Sequence, residues 1–210
     1  VLFPTSDHAA LEIDENYQAL SAFAVLPNTL GRMAHFMDKG VQASLAHQAG
    51  FIVPDAASYD LESEHIPFDD VHLPCIVKPL LSIKGSKAHI TVCRSKDELK
   101  SCVNFYKVHS EHSILIEDFI EQKDQKEMCI TGVCLPNHKV IFGGIIEKYR
   151  TIGNGSTTYG KVHVKVDCHI AAIVREFMTQ IPYTGIFDIE YFISPNQKLT
   201  FIECNLRNGA

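Results

Sequence analysis

No apolar run in this sequence approaches the ~20 residues that a membrane-spanning helix needs, so no membrane span is expected. A block of Lys and Arg is missing too. With 19 basic against 25 acidic residues and a formal net charge of −6, the chain lacks the charge that grips nucleic-acid phosphates. No charged segment leads into an apolar stretch near Val1, so these residues carry no expected signal peptide. The G-x-x-x-x-G-K-[ST] pattern of a P-loop is missing, as are repeats, low-complexity tracts and Gly/Ser linkers.

Cysteine pairs are also lacking. The seven cysteines (Cys75, Cys93, Cys102, Cys129, Cys134, Cys168 and Cys204) are odd in number, form no C-x-x-C, and mostly lie in apolar strand-like runs. They read as small core residues of a protein in a reducing, cytoplasmic compartment rather than as disulfides or a zinc site. None of the 11 histidines makes an H-x-x-x-H pair in a clear helix, and most read as surface residues.

What remains is an ordinary composition, 46% hydrophobic and 21% charged over 210 residues, enough for one large domain or two small ones. The chain opens on the strand-like run Val1-Leu2-Phe3 and stops at Asn208-Gly209-Ala210, which reads as a piece of a longer polypeptide. Residues 1–31 read as a strand followed by one or two helices. Residues 32–49 read as a helix with Gly50 as its C-terminal cap, then Phe51-Ile52-Val53 as a short strand. Residues 55–73 read as loop, 75–78 and 89–93 as strands, and Ser95 with Glu98 as the capping box of a helix whose stripe is Leu99, Cys102, Val103 and Tyr106. Strand-rich sequence follows. One hairpin folds around 136–139 and a second around 195–198. Between them lie a small-residue loop at 151–160, long enough to be functional, and an amphipathic helix carrying Ile170, Ile173, Val174, Phe177 and Met178. Hairpins mixed with helical crossovers indicate the α+β class.

The second hairpin carries the most chemistry. Along 187–194 the faces alternate: Phe187, Ile189, Tyr191 and Ile193 share one, and Asp188 and Glu190 share the other. A symmetric turn sets Glu190 opposite Glu203 and Asp188 opposite Asn205. Facing carboxylates ~5 Å apart repel unless a cation lies between them. Carboxylate and amide oxygens suit Mg²⁺, and a solvated acidic face is the competing reading. Arg207, two residues past Asn205, either faces the same site, where it can hold a phosphate, or is an ordinary surface residue. The same symmetric construction in the first hairpin sets Glu127 opposite Lys148, as a cross-strand ion pair or as part of a site. Lys78 ends an apolar strand, a costly position unless it is paired or points into a cleft. Residues 82–87, with Ser82, Gly85 and Ser86, can turn N–H groups onto phosphates or form a plain turn.

In order along the chain, these pieces resemble the ATP-grasp superfamily, in particular its carboxylate–amine ligases, from about Met33 to the C-terminus. Met37-Asp38-Lys39 with Ala49-Gly50-Phe51-Ile52-Val53-Pro54 is similar to the family's entry motif, and Lys39 would be its first phosphate lysine. Cys75-Ile76-Val77-Lys78-Pro79 with Gly85-Ser86 is similar to its second lysine strand and flexible loop. Ile116-Glu117-Asp118-Phe119-Ile120 resembles the segment that meets the adenine, and Glu127 fits the acidic residue on the ribose. Asp188-Ile189-Glu190-Tyr191 and 201–207 resemble the two metal-binding strands. The resemblance implies Glu190, Glu203 and Asn205 as magnesium ligands (or manganese), with Arg207 and Lys148 facing the reacting groups. The loop 82–87 is poorer in glycine than the family's usual loop, and the stretch between Glu117 and Glu127 is longer.

The resemblance implies an ATP-grasp fold of two α+β lobes gripping ATP, at 32–113 and 114–210, after 1–31 as the tail of a preceding α/β domain. It implies a Mg-ATP-dependent ligase that activates a small-molecule carboxylate as an acyl phosphate and joins it to an amine. Two alternatives stay open: a bicarbonate-using carboxylase or carbamoyl-phosphate-type enzyme, and a non-catalytic nucleotide-binding module. Neither the acid, the amine nor the oligomeric state is legible in the sequence.

Overall fold

The computed structural model describes residues 1–25, 27–62, 66–80, 90–109, 112–121, 124–152 and 156–208. It divides into two compact units. The larger comprises the described residues of 1–53, 122–152 and 156–210, and the smaller those of 54–121. These limits fall elsewhere than at 31/32 and 113/114, for local reasons given below.

The larger unit opens with α1 (Asp7–Glu15) and α2 (Tyr17–Leu20). No strand forms at 1–3, contrary to expectation. Val1 and Phe3 are exposed, and the Leu2 N–H donates to the Val25 carbonyl. Ser6 caps α1 by accepting from the Ala9 N–H. The expected helix at 32–49 is two, α3 (Met33–Met37) and α4 (Lys39–Ala49). The break is at Asp38, which turns extended and caps α4 by accepting from the Val41 N–H, the competition with the backbone that makes Asp a helix starter. Gly50 ends α4 at φ 103°, as the left-handed cap requires. Buried Asp14 ties α1 to this segment by accepting from Thr29 N–H, Thr29 Oγ1 and Met33 N–H.

A five-stranded antiparallel sheet follows, β5 (Lys126–Cys134), β6 (Val140–Ile152), β7 (Ser156–His163), β8 (Gly185–Ile193) and β9 (Leu199–Asn205), in the order β7-β6-β5-β8-β9. α6 (Cys168–Thr179) supplies buried Val174, Phe177 and Met178 to its covered face. Phe51 packs there between Phe177, Tyr191 and Phe201. The loop expected at 151–160 is mostly strand instead: Thr151 pairs with Thr157 and Arg150 with Tyr159. Thr and Tyr are strand formers, and the small-residue composition masked them.

The smaller unit is a four-stranded antiparallel sheet, β1 (Ala56–Asp60), β2 (Cys75–Pro79), β3 (Thr91–Cys93) and β4 (Ser113–Asp118), ordered β1-β4-β2-β3. One face is covered by α5 (Lys96–Val108). Ser95 accepts from the Glu98 N–H, while the Glu98 carboxylate accepts from Arg94 N–H rather than from Ser95. Leu99, Cys102, Val103 and Tyr106 join Cys75, Val77, Ile114 and Ile116 in its core, as the stripe predicts. β1 was expected to be loop. Its small and polar, largely exposed residues hide an edge strand that pairs only with β4. β4 therefore lies inside this sheet, bonded to β1 and β2, which is why 113–118 belongs here rather than to the larger unit.

Candidate functional site

Both hairpins of the larger unit place their functional residues by the same local device. Each turn is a three-residue loop, not the symmetric turn expected. Leu135 pairs with Lys139 around Pro136-Asn137-His138, and Ser194 pairs with Lys198 around Pro195-Asn196-Gln197. His138 and Gln197 take positive φ, 58° and 61°, the left-handed third residue of this loop type. Each loop shifts the register by one residue relative to a symmetric turn. A bulge then shifts it back, beside Thr131/Gly132 in one hairpin and beside Glu190/Tyr191 in the other. The two departures cancel. Beyond the bulge Glu190 lies opposite Glu203 and Asp188 opposite Asn205, as expected from the simpler geometry.

On this face of the sheet Lys148 is the central cation. Its side chain is 3% exposed, and Nζ lies 2.8 Å from Glu127 Oε1 and 2.7 Å from Glu190 Oε2. Burial opposes its charge, but Glu190 and Glu127 outweigh it and raise the ammonium pKa above its ordinary value. The expected Glu127–Lys148 pair thus forms and extends to Glu190. Asp188 is 3% exposed and accepts from Asn205 Nδ2 at 2.8 Å. Asn205 Nδ2 also lies 3.3 Å from Glu203 Oε1. Arg207 Nη2 donates to Asn205 Oδ1 at 3.0 Å, joining Arg207 to the set. Its Nε donates to Asp7 at 2.6 Å, so Arg207 is partnered rather than a loose surface cation. Burial is the largest single effect on its pKa and lowers it, but the charge and hydrogen bond of Asp7, with Asp188 and Glu203, together raise it above the ordinary value.

Two residues here, Asp7 and Cys129, escaped sequence reasoning, and a third, Asp188, was placed on this face without a role. Asp7 is 200 residues from Arg207 and left no local signal. Asp188 has the right parity but was left out of the ligand set. Cys129 was read as core. It is buried, yet it sits opposite Glu190 on the polar face, and its Sγ lies within 4.8 Å of Asp188 and Glu190 carboxylate oxygens. Burial, then those carboxylates, push its thiol pKa well up. Strand parity was the available signal: Glu127 and Cys129 share a face. Lys39 stands at the first position of α4, half-buried.

In the smaller unit, Lys78 is 6% exposed and meets Glu117 Oε1 at 2.6 Å. The structure therefore brings together a predicted phosphate lysine and a predicted adenine residue as an ion pair. The Asp118 N–H donates to Asp55 and the Phe119 N–H to Pro74, so both are engaged inside the unit. Arg94 lies over the Phe119 ring, and Ile120 follows half-buried. A cavity of about 220 Å³ is lined in part by Glu117 and Asp118, small for a nucleotide. Ser82, Gly85 and Ser86 lie outside the described residues.

The family profile of the ATP-grasp domain matches residues 44–208. This chain belongs to the ATP-grasp family. An ATP-grasp fold of the α+β class is what the two antiparallel sheets and their helices form. Similar solved structures include the VanG D-Ala:D-Ser ligase of Enterococcus faecalis (18% identity, 93% of this chain, 60% of that one, TM-score 0.67). The L-amino acid ligase of Bacillus licheniformis is alike too (17%, 96% and 47%, TM-score 0.69). So is the biotin carboxylase of Campylobacter jejuni (14%, 93% and 47%, TM-score 0.66). The multifunctional protein pyr1-3 of Dictyostelium discoideum is 28% identical over 146 residues, 66% of this chain and 6% of that protein. The ATP-grasp chain described here thus spans about half the length of the similar structures and a small part of that relative.

Proposed function

We propose that this ATP-grasp domain is part of a ligase that uses Mg-ATP to activate a small-molecule carboxylate as an acyl phosphate for attack by an amine. The observation that carries the reading is the row of Glu190 facing Glu203 beside Asp188 facing Asn205. Hard oxygen donors in this number fit Mg²⁺; Glu190, Glu203 and Asn205 are its proposed ligands. The bound nucleotide supplies the phosphoryl group, and the ion neutralises its charge. In the smaller unit Lys78 serves a phosphate, and Glu117, with the segment Asp118, Phe119 and Ile120, serves the base. In the larger unit Glu127 serves the ribose, Lys39 a phosphate, and Arg207 and Lys148 the reacting groups, where fixed cations stabilise developing negative charge.

A second reading makes bicarbonate the acid. It is favoured by the likeness to the biotin carboxylase at a TM-score of 0.66, level with that to the ligases. Bicarbonate-dependent ATP turnover without an added carboxylate distinguishes the two.

Melting curves test the shared core of both. At a hundredfold excess over its dissociation constant, a ligand of the folded state adds ~2.7 kcal/mol of stability. Mg-ATP should raise Tm more than ATP with chelator, and Glu203→Gln should lose most of that gain. A Glu203→Gln protein that gains as much as wild type removes the metal assignment.

A further inference from the structure

The donor row on the polar face of the larger sheet is not made of oxygen alone. Glu203 lies opposite Glu190, and Glu190 lies opposite Cys129, so a thiol takes the third place across three strands. Its neighbours in sequence, Met128 and Ile130, point to the covered face. Cys129 is 8% exposed. No hydrogen bond to its Sγ exists among the described residues, unlike Cys134, whose Sγ reaches a carbonyl. A nine-tenths buried, unpartnered sulfur is thus aimed at two carboxylates, with all three donor atoms within 4.8 Å of one another.

Charge points the same way. Among the described residues, Glu127, Asp188, Glu190 and Glu203 bring carboxylates close to Lys148 and Arg207, and carboxylates are ligands for divalent ions. Sulfur is a poor ligand for Mg²⁺, which demands oxygen in octahedral array, and a good one for zinc-class ions. A thiolate with two carboxylates is a three-ligand set with a fourth place open. Ligand atoms bound to such an ion lie roughly 3.5 Å apart, so small side-chain movements close the set.

We propose that Cys129, Asp188 and Glu190 form a binding site for a thiophilic divalent cation of the zinc class. It overlaps the oxygen-donor set at Glu190, so its occupancy excludes a hard cation there. On binding, the Cys129 thiol loses its proton to solvent, sulfur bonds the metal, and nothing is oxidised or reduced. Lys148 lies beside the site, with Nζ 2.8 Å from Glu127 Oε1 and 2.7 Å from Glu190 Oε2. The site stands on the apo geometry and does not depend on the nucleotide reading.

Cadmium is the probe, because its thiolate bond gives an ultraviolet charge-transfer band. The reduced full chain is titrated with Cd²⁺ as wild type, Cys129→Ser, Cys168→Ser and Asp188→Asn. The expected result is one equivalent bound with the band in wild type and in Cys168→Ser. Cys129→Ser should lose the band, and Asp188→Asn should bind at least tenfold more weakly. Zn²⁺ should displace Cd²⁺ at comparable concentration, and millimolar Mg²⁺ should not. Cys168 is the exposed cysteine; a band that follows it, persists in Cys129→Ser, or is displaced equally by Mg²⁺ overturns the proposal. The Asp188→Asn arm keeps the test decisive should Cys129→Ser fail to fold.

Discussion

The side-chain amide of Gln42 bonds both backbone groups of Cys204: Nε2 donates to its carbonyl at 2.8 Å and Oε1 accepts its N–H at 3.0 Å. The same Nε2 reaches the Phe36 carbonyl at 2.9 Å. β9 is the sheet's edge, and this amide stands where the next strand would pair. It fixes α4 to the link between Glu203 and Asn205. Gln42→Ala should cost about 2–4 kcal/mol, because buried backbone groups lose their partners. The Tm should fall by several degrees at least. A fall below one degree would show that water replaces the amide fully.

Lys148 serves two carboxylates, and its removal should be felt by both. Lys148→Met should cost about 3 kcal/mol, the low end for a broken buried pair, since Glu127 and Glu190 keep 16% and 15% exposure. The partnership also separates the facing glutamates. Glu190→Gln removes a partner of Lys148 and should lower the apo Tm. Glu203→Gln removes the carboxylate that repels Glu190 across the hairpin and keeps an amide oxygen for Asn205, so it should cost less apo Tm than Glu190→Gln. Equal losses in both variants would contradict the assigned geometry.

Glu147 gives the fold a pH dependence apart from the candidate site. It is 6% exposed, bonded to Lys126 at 2.8 Å and His163 at 3.0 Å. Lys126, then His163, hold its pKa below the ordinary carboxylate value against burial. A depressed folded pKa means the contribution is present above the unfolded value of ~4.3 and lost as pH falls through the folded one. Acid titration followed by circular dichroism should show that loss in wild type and a flatter acid limb in Glu147→Gln.

Tyr191 is fully buried, and its hydroxyl has no hydrogen-bond partner among the described residues. A buried hydroxyl without a partner carries its desolvation cost uncompensated. Tyr191→Phe should therefore stabilise by about 1 kcal/mol, raising Tm by roughly 2–4 °C. A drop in Tm would mean that an ordered water satisfies the hydroxyl.

Much of this was legible because it is local. Alternation put Asp188 and Glu190 on one face and Phe187, Ile189 and Tyr191 on the other, and the last three are fully buried. The Ser95 and Gly50 caps and the stripe of α5 were equally plain, since each depends on neighbours within a turn or two. The opposition of Glu190 and Glu203 came out right from an incomplete premise. The turn is asymmetric, and a bulge restores the register, a compensation that no pattern of residue types revealed. Composition misled at 151–160 and at β1, where strand pairing rather than residue type decides.

By itself the sequence determined the helices, the hairpins, the polar face of β8 and β9 and the family motifs, because periodicity and short-range chemistry set these. Tertiary structure decided most of the charge partners. It added Glu190 to the Glu127–Lys148 pair that the hairpin already implied, and set Arg207 on Asp7, Lys78 on Glu117, and buried Cys129 against carboxylates. Such contacts join strands and helices far apart in the chain, and buried charges must find whichever partner the fold brings within reach.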